Sequence, residues 1–218
     1  MQADPRATPR LLVFSRAPIP GRAKRRLIPA LGEQGAADLQ RFLLGRVLRA
    51  VAAAGGEAEL WAVGPAHPYL RLSARAFGLG LRAQSGGDLG ARMSAAFADA
   101  LADGSAVLVG SDFVDITAAE LAAARRALTE GEDAVFTPTA DGGYRLIGLR
   151  RPAPALFRGI DWGSERVMAQ TRQRLRDLGL SWRELPTGWD VDRPADLARL
   201  RARPGLPRPV RRLLGAAG

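Results

Sequence analysis

Leu11-Leu12-Val13-Phe14 is an unbroken apolar run that stops at Ser15 and Arg16, and this pattern narrows the choice of fold more than any other in the chain. A strand with one wet face alternates apolar and polar residues. A short continuous apolar run instead suits a strand covered on both faces, as in a parallel sheet. Ala106 to Val109 repeats the pattern and stops at Gly110-Ser111-Asp112. Leu39, Leu43, Val47 and Val51 recur at helical spacing until Gly55-Gly56, a natural helix stop. Glu59–Val63, Leu79–Ala83, Asp133–Thr137, Tyr144–Leu149 and Trp182–Leu185 read as further strands. Pro68–Phe77, a segment capped by Asp88, a segment capped by Thr117 with Glu120 completing a capping box, Arg166–Leu178 and Pro194–Arg201 read as helices. Strands alternating with helices predict an α/β three-layer sandwich around a mostly parallel sheet. Ligands bind beyond the carboxyl ends of such strands. Ser15-Arg16, Ser111-Asp112 and Asp141 are therefore expected on one rim.

The 218 residues favour one domain, expected over 10–202, after a short poorly ordered lead-in at 1–9. Residues 203–218, rich in proline and arginine, read as a loosely attached tail. No apolar run approaches the ~20 residues of a membrane span, and no secretory pattern opens the chain. A cytoplasmic location is expected. The absence of cysteine excludes disulfides, thiolate zinc and cysteine nucleophiles. The one histidine, His67, stands beside Pro68, which argues against zinc catalysis and a Ser-His-Asp triad. The net charge is +10, and Lys24 is the only lysine among 32 basic residues. A basic chain can bind nucleic acid through phosphate contacts. With 6% aromatic residues and no zinc-finger or RNP spacing, however, nucleic acid is not the expected partner. Anionic small-molecule substrates account for a local positive pocket equally well.

Gly110-Ser111-Asp112-Phe113-Val114-Asp115 is the most informative segment. A carboxylate at the end of a buried strand needs compensation, and a hard cation shared with substrate phosphates provides it. Asp112 is the candidate metal ligand, while Asp115 either joins it or caps the next helix. Trp189-Asp190-Val191-Asp192 supplies a second acidic pair. Residues of an extended segment alternate in direction, so one of Asp190 and Asp192 is expected at the metal; the alternative is that Asp192, two residues before Pro194, is a helix N-cap. Ser15-Arg16-Ala17-Pro18-Ile19-Pro20-Gly21-Arg22-Ala23-Lys24 has the ingredients of an anion cradle without being a Walker A loop. Arg16 and Lys24 supply charge, and Gly21 permits close backbone approach. Where arginine is so favoured, a retained lysine points to a compact charge at Lys24. Gly87, Asp88 and Gly90 could pack against a nucleobase or serve as a turn and cap. Asp141-Gly142-Gly143-Tyr144 and Asp161-Trp162 combine carboxylates with aromatics, as an acceptor pocket would, with Asp141 or Asp161 as base.

Phe14–Lys24, Gly87–Met93, Gly110-Ser-Asp112, Asp141–Leu149, Asp161-Trp-Gly163 and Trp189–Pro194 follow one another in the order found in a known family. Over about residues 10–201 the chain resembles a bacterial family of GT-A-like glycosyltransferases of largely unassigned substrate, some members of which are assigned to arsenosugar biosynthesis. The resemblance implies a Rossmann-like nucleotide-diphospho-sugar transferase fold and Mg2+ or Mn2+ held by Asp112 and Asp192. It further implies sugar transfer from a nucleotide-sugar, bound by Ser15, Arg16, Gly21, Lys24, Gly87, Asp88, Gly90 and Ser111, to a small acceptor at Gly142, Gly143, Tyr144 and Trp162. The alternatives are nucleotidyl transfer from a nucleoside triphosphate to a phosphorylated small molecule, and a non-catalytic nucleotide or nucleic-acid binding protein. The chain departs from the family at three places. It has Lys24-Arg25-Arg26 for the usual Lys-Thr-Arg, Asp112-Phe113-Val114-Asp115 for Asp-Cys-Pro-Asp, and Arg145 for a second tyrosine. Arg145 is expected to change the acceptor site or its charge.

Overall fold

The computed structural model describes residues 8–215. Seven strands form one sheet in the order β3-β2-β1-β4-β6-β5-β7. They are β1 (Arg10–Arg16), β2 (Ala58–Val63), β3 (Gly80–Ala83), β4 (Ala106–Gly110), β5 (Ala134–Pro138), β6 (Tyr144–Leu149) and β7 (Trp182–Glu184). All pairings are parallel except those of β6, which runs antiparallel to both β4 and β5. That reversal matters for function. It brings the start of β6, and the Asp141 turn before it, to the rim where β1 and β4 end.

The helices are α1 (Ile28–Ala54), α2 (Pro68–Ala76), α3 (Leu89–Ala100), α4 (Ala118–Thr129), α5 (Val167–Asp177), α6 (Pro194–Arg201) and α7 (Arg208–Gly215). Side-chain alternation along β1 sorts them onto two faces. Leu11 and Val13 join Val47 and Val51 of α1, Leu70 of α2 and Leu121 of α4 in one core. Leu12 and Phe14 point the other way, to Met93 and Phe97 of α3 and Met168 and Leu175 of α5. Hence β1 is apolar without interruption: both its faces are covered. Thr117 caps α4 through Glu120 N–H, and Asp88 caps α3 through Ala91 N–H, as their sequence positions suggested.

Two expectations need revision. The helix marked by Leu39–Val51 starts earlier, at Ile28, and bends at Gly32, whose backbone is non-helical. The segment from 203, read as a loose tail, forms α7 as far as the described residues extend. Val210 and Leu214 are buried with Leu27, Leu39, Trp189 and Val191, and Arg201 Nε donates to the Leu214 carbonyl. The proline and arginine content concealed a short amphipathic helix: its apolar residues dock while its arginines stay outside. The lead-in at 1–9 lies outside the described residues except for Thr8 and Pro9. The Pro9 carbonyl accepts a bond from buried Arg125.

No helix among the described residues is long and apolar enough to cross a membrane. Because Leu214 is fully covered, Leu214→Ala should lower stability by about 2 kcal/mol or more, the usual cost of a core leucine truncation, read as a lower urea midpoint in equilibrium unfolding.

Candidate functional site

Two cavities open on the rim at the carboxyl ends of β1 and β4. The first, about 480 Å3, is lined by Ser15, Arg16, Lys24, Ser111, Asp112 and Gln84, among others. The second, about 670 Å3, lies between β4, β6, α3 and the Trp162 loop. Phe14, Arg26, Leu89, Gly110 and Asp192 line both, so these residues form the boundary between them.

Lys24 organises the first cavity. Its backbone is left-handed (φ 45°), and it is the only non-glycine residue with positive φ among the described residues. Its ammonium is 2% exposed, lies 2.9 Å from Asp112 Oδ1 and donates to the Val191 carbonyl at 2.6 Å. Val191 N–H in turn donates to the Asp112 carbonyl. Two of the three ammonium hydrogens of Lys24, expected to bind substrate phosphate, are thus directed at protein groups. The compact charge inferred from sequence is present, but it secures Asp112 and the 189–193 segment. The exposed cations along this cavity are Arg16, Arg22, Arg25 and Arg26, with Arg92 half-exposed. Arg16, Arg22 and Arg25 form no ion pair among the described residues. Buried Ser111 accepts from Gln40 through its hydroxyl, and Gln84 Nε2 donates to the carbonyls of Ser15 and Trp61, tying the ends of β1 and β2.

Sequence reasoning expected only one of Asp190 and Asp192 to face the metal position. Alternation cannot separate them, because residues two apart on an extended segment share a face, yet Asp192 lines both cavities and Asp190 lines neither. Val191, between them, is the one turned away, into the core with Leu27 and Leu214. Burial, with further contributions from Asp141, Asp192 and Asp112, pushes the Asp190 carboxyl up to about 6, against an opposing effect of Lys24. Asp192 is paired with Arg26 at 2.5 Å, and its N–H is held by Asp196. Among the described residues there is no preformed cluster of three or more acidic or histidine side chains around one point. Magnesium commonly uses one or two carboxylates and completes its shell with water and substrate phosphate. The donor set of Asp112 with Asp192, both lining the first cavity, fits that mode.

Asp141 lines the second cavity; its Oδ1 accepts from the Thr139 hydroxyl at 2.6 Å and from Gly143 N–H. Tyr144 packs edge-on against both Phe136 and Trp162. Burial, slightly offset by a hydrogen bond with Thr171, keeps its phenol protonated. Gly143 and Trp162 also line this cavity. Gly142 does not, and its role is steric: a Cβ there would lie 2.0 Å from the Glu165 carbonyl oxygen. Gly90 likewise sits beneath the Trp162 indole, 2.5 Å from a would-be Cβ, rather than beside an open base site. Gly21, Gly87, Asp88 and Asp161 line neither cavity. Asp161 is paired with Arg166 and bonded to Gln170 at the start of α5.

Arg145, expected to change the acceptor site or its charge, lines the second cavity. Its guanidinium is buried between Asp115 and Glu120, lies over the Phe113 ring at 5.6 Å, and is covered by Gly188. Asp115 neither caps α4 nor joins Asp112; it is the partner of Arg145. Two of the departures, Phe113 and Arg145, thus contact each other and make one packing unit.

The sheet order and the paired cavities at its carboxyl rim define a nucleotide-diphospho-sugar transferase fold. The chain belongs to the family described as "Uncharacterized protein conserved in bacteria (DUF2064)", which it matches over residues 46–164. It is 31% identical to a protein of Desulfovibrio desulfuricans G20 provisionally assigned as a nucleotide-diphospho-sugar transferase, with a TM-score of 0.82 over 96% of this chain and 94% of that one. More distant structures share the fold. An inositol-1-phosphate CTP transferase from T. maritima has a TM-score of 0.55 at 10% identity, covering 97% of this chain and 96% of its own. Rv0371c of Mycobacterium tuberculosis H37Rv, in complex with manganese, has a TM-score of 0.54 at 21% identity, covering 88% and 98%. No curated protein matches the sequence.

Two outcomes test this geometry. Arg145→Met would strand two carboxylates and should cost about 3–5 kcal/mol of stability, the usual result of breaking a buried ion pair, measured by urea unfolding. The folded pKa of Asp190, about 6, exceeds its ordinary 3.8. Its ionisation therefore opposes folding: stability is unaffected below pH 3.8, falls as pH rises toward 6, and stays reduced above. A two-unit shift corresponds to roughly 3 kcal/mol, and solvent screening of a half-exposed group reduces that to about 1 kcal/mol. Asp190→Asn should be stabilising by that amount at pH 7.5 in chelator and neutral near pH 3.5, as read from paired urea melts.

Proposed function

We propose that the protein is a metal-dependent transferase that moves a sugar from a nucleotide-sugar to a small hydroxylated acceptor. The observation that carries this reading is the difference between the two adjoining cavities. The first is lined by six basic side chains against two acidic ones, Asp112 and Asp192, and suits a nucleoside diphosphate. The second is largely apolar and aromatic, with Asp141 at its edge, and suits an uncharged acceptor. Asp112 and Asp192 would hold Mg2+ or Mn2+, which would offset the charge developing on the diphosphate leaving group. Arg16, Arg22 and Arg25 bind the phosphates, and Lys24 positions Asp112. The acceptor oxygen forms its bond to the anomeric carbon as the bond from that carbon to the phosphate oxygen breaks. The electron pair leaves with the nucleoside diphosphate, and Asp141 takes the acceptor proton. That Asp161 is tied to Arg166 and Gln170 supports Asp141 over it.

A second reading, nucleotidyl transfer with loss of pyrophosphate, is favoured by the number of arginines around the first cavity, which would also suit a triphosphate. Release of pyrophosphate from a nucleoside triphosphate in the presence of phosphorylated acceptors would decide for it.

Titration calorimetry with UDP-, GDP- and dTDP-sugars, with and without manganese or magnesium, tests the main proposal. At least one should bind in a metal-dependent manner, and Asp112→Asn should weaken that binding by about tenfold or more, the scale of one lost metal carboxylate. Absence of binding by every nucleotide-sugar would sink it.

A further inference from the structure

Resting on the reading that the second cavity receives the acceptor, we infer that this acceptor is an uncharged alcohol with a sizeable apolar ring body, and neither a phosphorylated metabolite nor a simple sugar. The floor of the cavity is made of core side chains: Phe14, Met93, Leu108 and Ile147 are each under 8% exposed and belong to the core beneath α3. At about 670 Å3 the cavity lies within the usual range of small-molecule pockets, roughly 300–1,000 Å3. A polyol placed on that floor would leave its hydroxyls without partners, which is costly. A ring system would not, and Trp162 on the wall offers it an aromatic surface.

Charge offers an anionic acceptor no net attraction. Three arginines, Arg26, Arg145 and Arg193, line the cavity against three acids, Asp141, Glu165 and Asp192. Arg145 is further held by Asp115 and Glu120, so the balance does not favour a phosphate. Polar groups lie at the mouth, where Asp192 and Gly110 also border the nucleotide cavity. An acceptor with its ring inside and its hydroxyl at this mouth therefore presents the nucleophile where the donor would lie.

The test compares 2-(2-naphthyl)ethanol, its phosphate ester and glycerol by calorimetry and saturation-transfer NMR on the full chain. UDP-, GDP- and dTDP-sugars with manganese are titrated in parallel. The alcohol should bind about tenfold or more tightly than either comparator, the effect expected from burying a large apolar body without an added charge. Trp162→Ala should weaken it by about tenfold through loss of the aromatic contact. Leu89→Glu, at an exposed position on the mouth, should weaken it similarly, while circular dichroism confirms that each variant is folded. Tighter binding of the phosphate ester, equal binding of glycerol, or indifference to both substitutions would overturn the inference. If the alcohol binds as expected but no nucleotide-sugar does, the acceptor cavity stands and the donor reading falls. If nucleotide-sugars bind and the alcohol does not, the donor reading stands and this inference falls.

Discussion

The rim of the sheet depends on one buried ammonium. Lys24 joins Asp112, at the end of β4, to the backbone of Val191 far along the chain, and adopts a left-handed backbone to do so. A non-glycine residue in that region is disfavoured by about 1 kcal/mol or more, so the two polar contacts must outweigh it. The clamp serves two ends. It gives the half-exposed Asp112 carboxylate, two residues beyond β4, a fixed counter-ion. It also fixes the 189–193 segment against the rim, with Val191 inserted between α1, α6 and α7. The C-terminal helix therefore supports the site: Leu214 and Val191 occupy the same core. An arginine could not replace this lysine readily, because its broad planar head requires more partners than the two groups here.

A second buried cation stabilises the other side of the rim. Arg145 bridges Asp115 and Glu120, and the Thr137 hydroxyl completes the group by donating to Glu120. This network ties the loop after Asp112 to α4, β5 and β6. Its members explain why the departures at 113 and 145 occur together in this chain. The Phe113 ring lies under the guanidinium, and the backbone of Gly188 lies close over it, where any side chain would clash. The substituted residues thus brace the loop after the candidate metal aspartate, and both also line the second cavity.

Most of the fold was legible in the sequence because it rests on local signals. Continuous apolar runs marked β1 and β4, Thr117 and Glu120 marked the start of α4, and Asp88 marked that of α3. The rim position of Ser15, Asp112 and Asp141 followed from strand direction, and all three line one cavity or the other. What failed depends on contacts between distant residues. Nothing near Lys24 reveals a partner 167 positions away. Nothing near Gly90 or Gly142 tells that Trp162 or Glu165 passes within a Cβ radius, so both glycines resembled ligand contacts when they are packing requirements. Asp190 and Asp192 are a different case: residues two apart share a face, so alternation cannot rank them, and the cavity linings, which include only Asp192, do.

Gly110 shows how these constraints combine. It ends β4 at the boundary of both cavities, and a Cβ there would come within 3.0 Å of the Phe113 ring. A side chain at residue 110 would press on the Phe113 ring that lies under Arg145. On one side stands the arginine-rich loop around Lys24, and on the other the apolar floor formed by Leu108 and Ile147. Neighbouring residues of β4 thus point alternately to different cores, while the strand's last residue borders both a positive cavity and an apolar one. On the proposed reading, transfer from a charged donor to an uncharged acceptor needs two such environments side by side. The alternation of one buried strand, ended by a glycine and an aspartate, supplies that boundary.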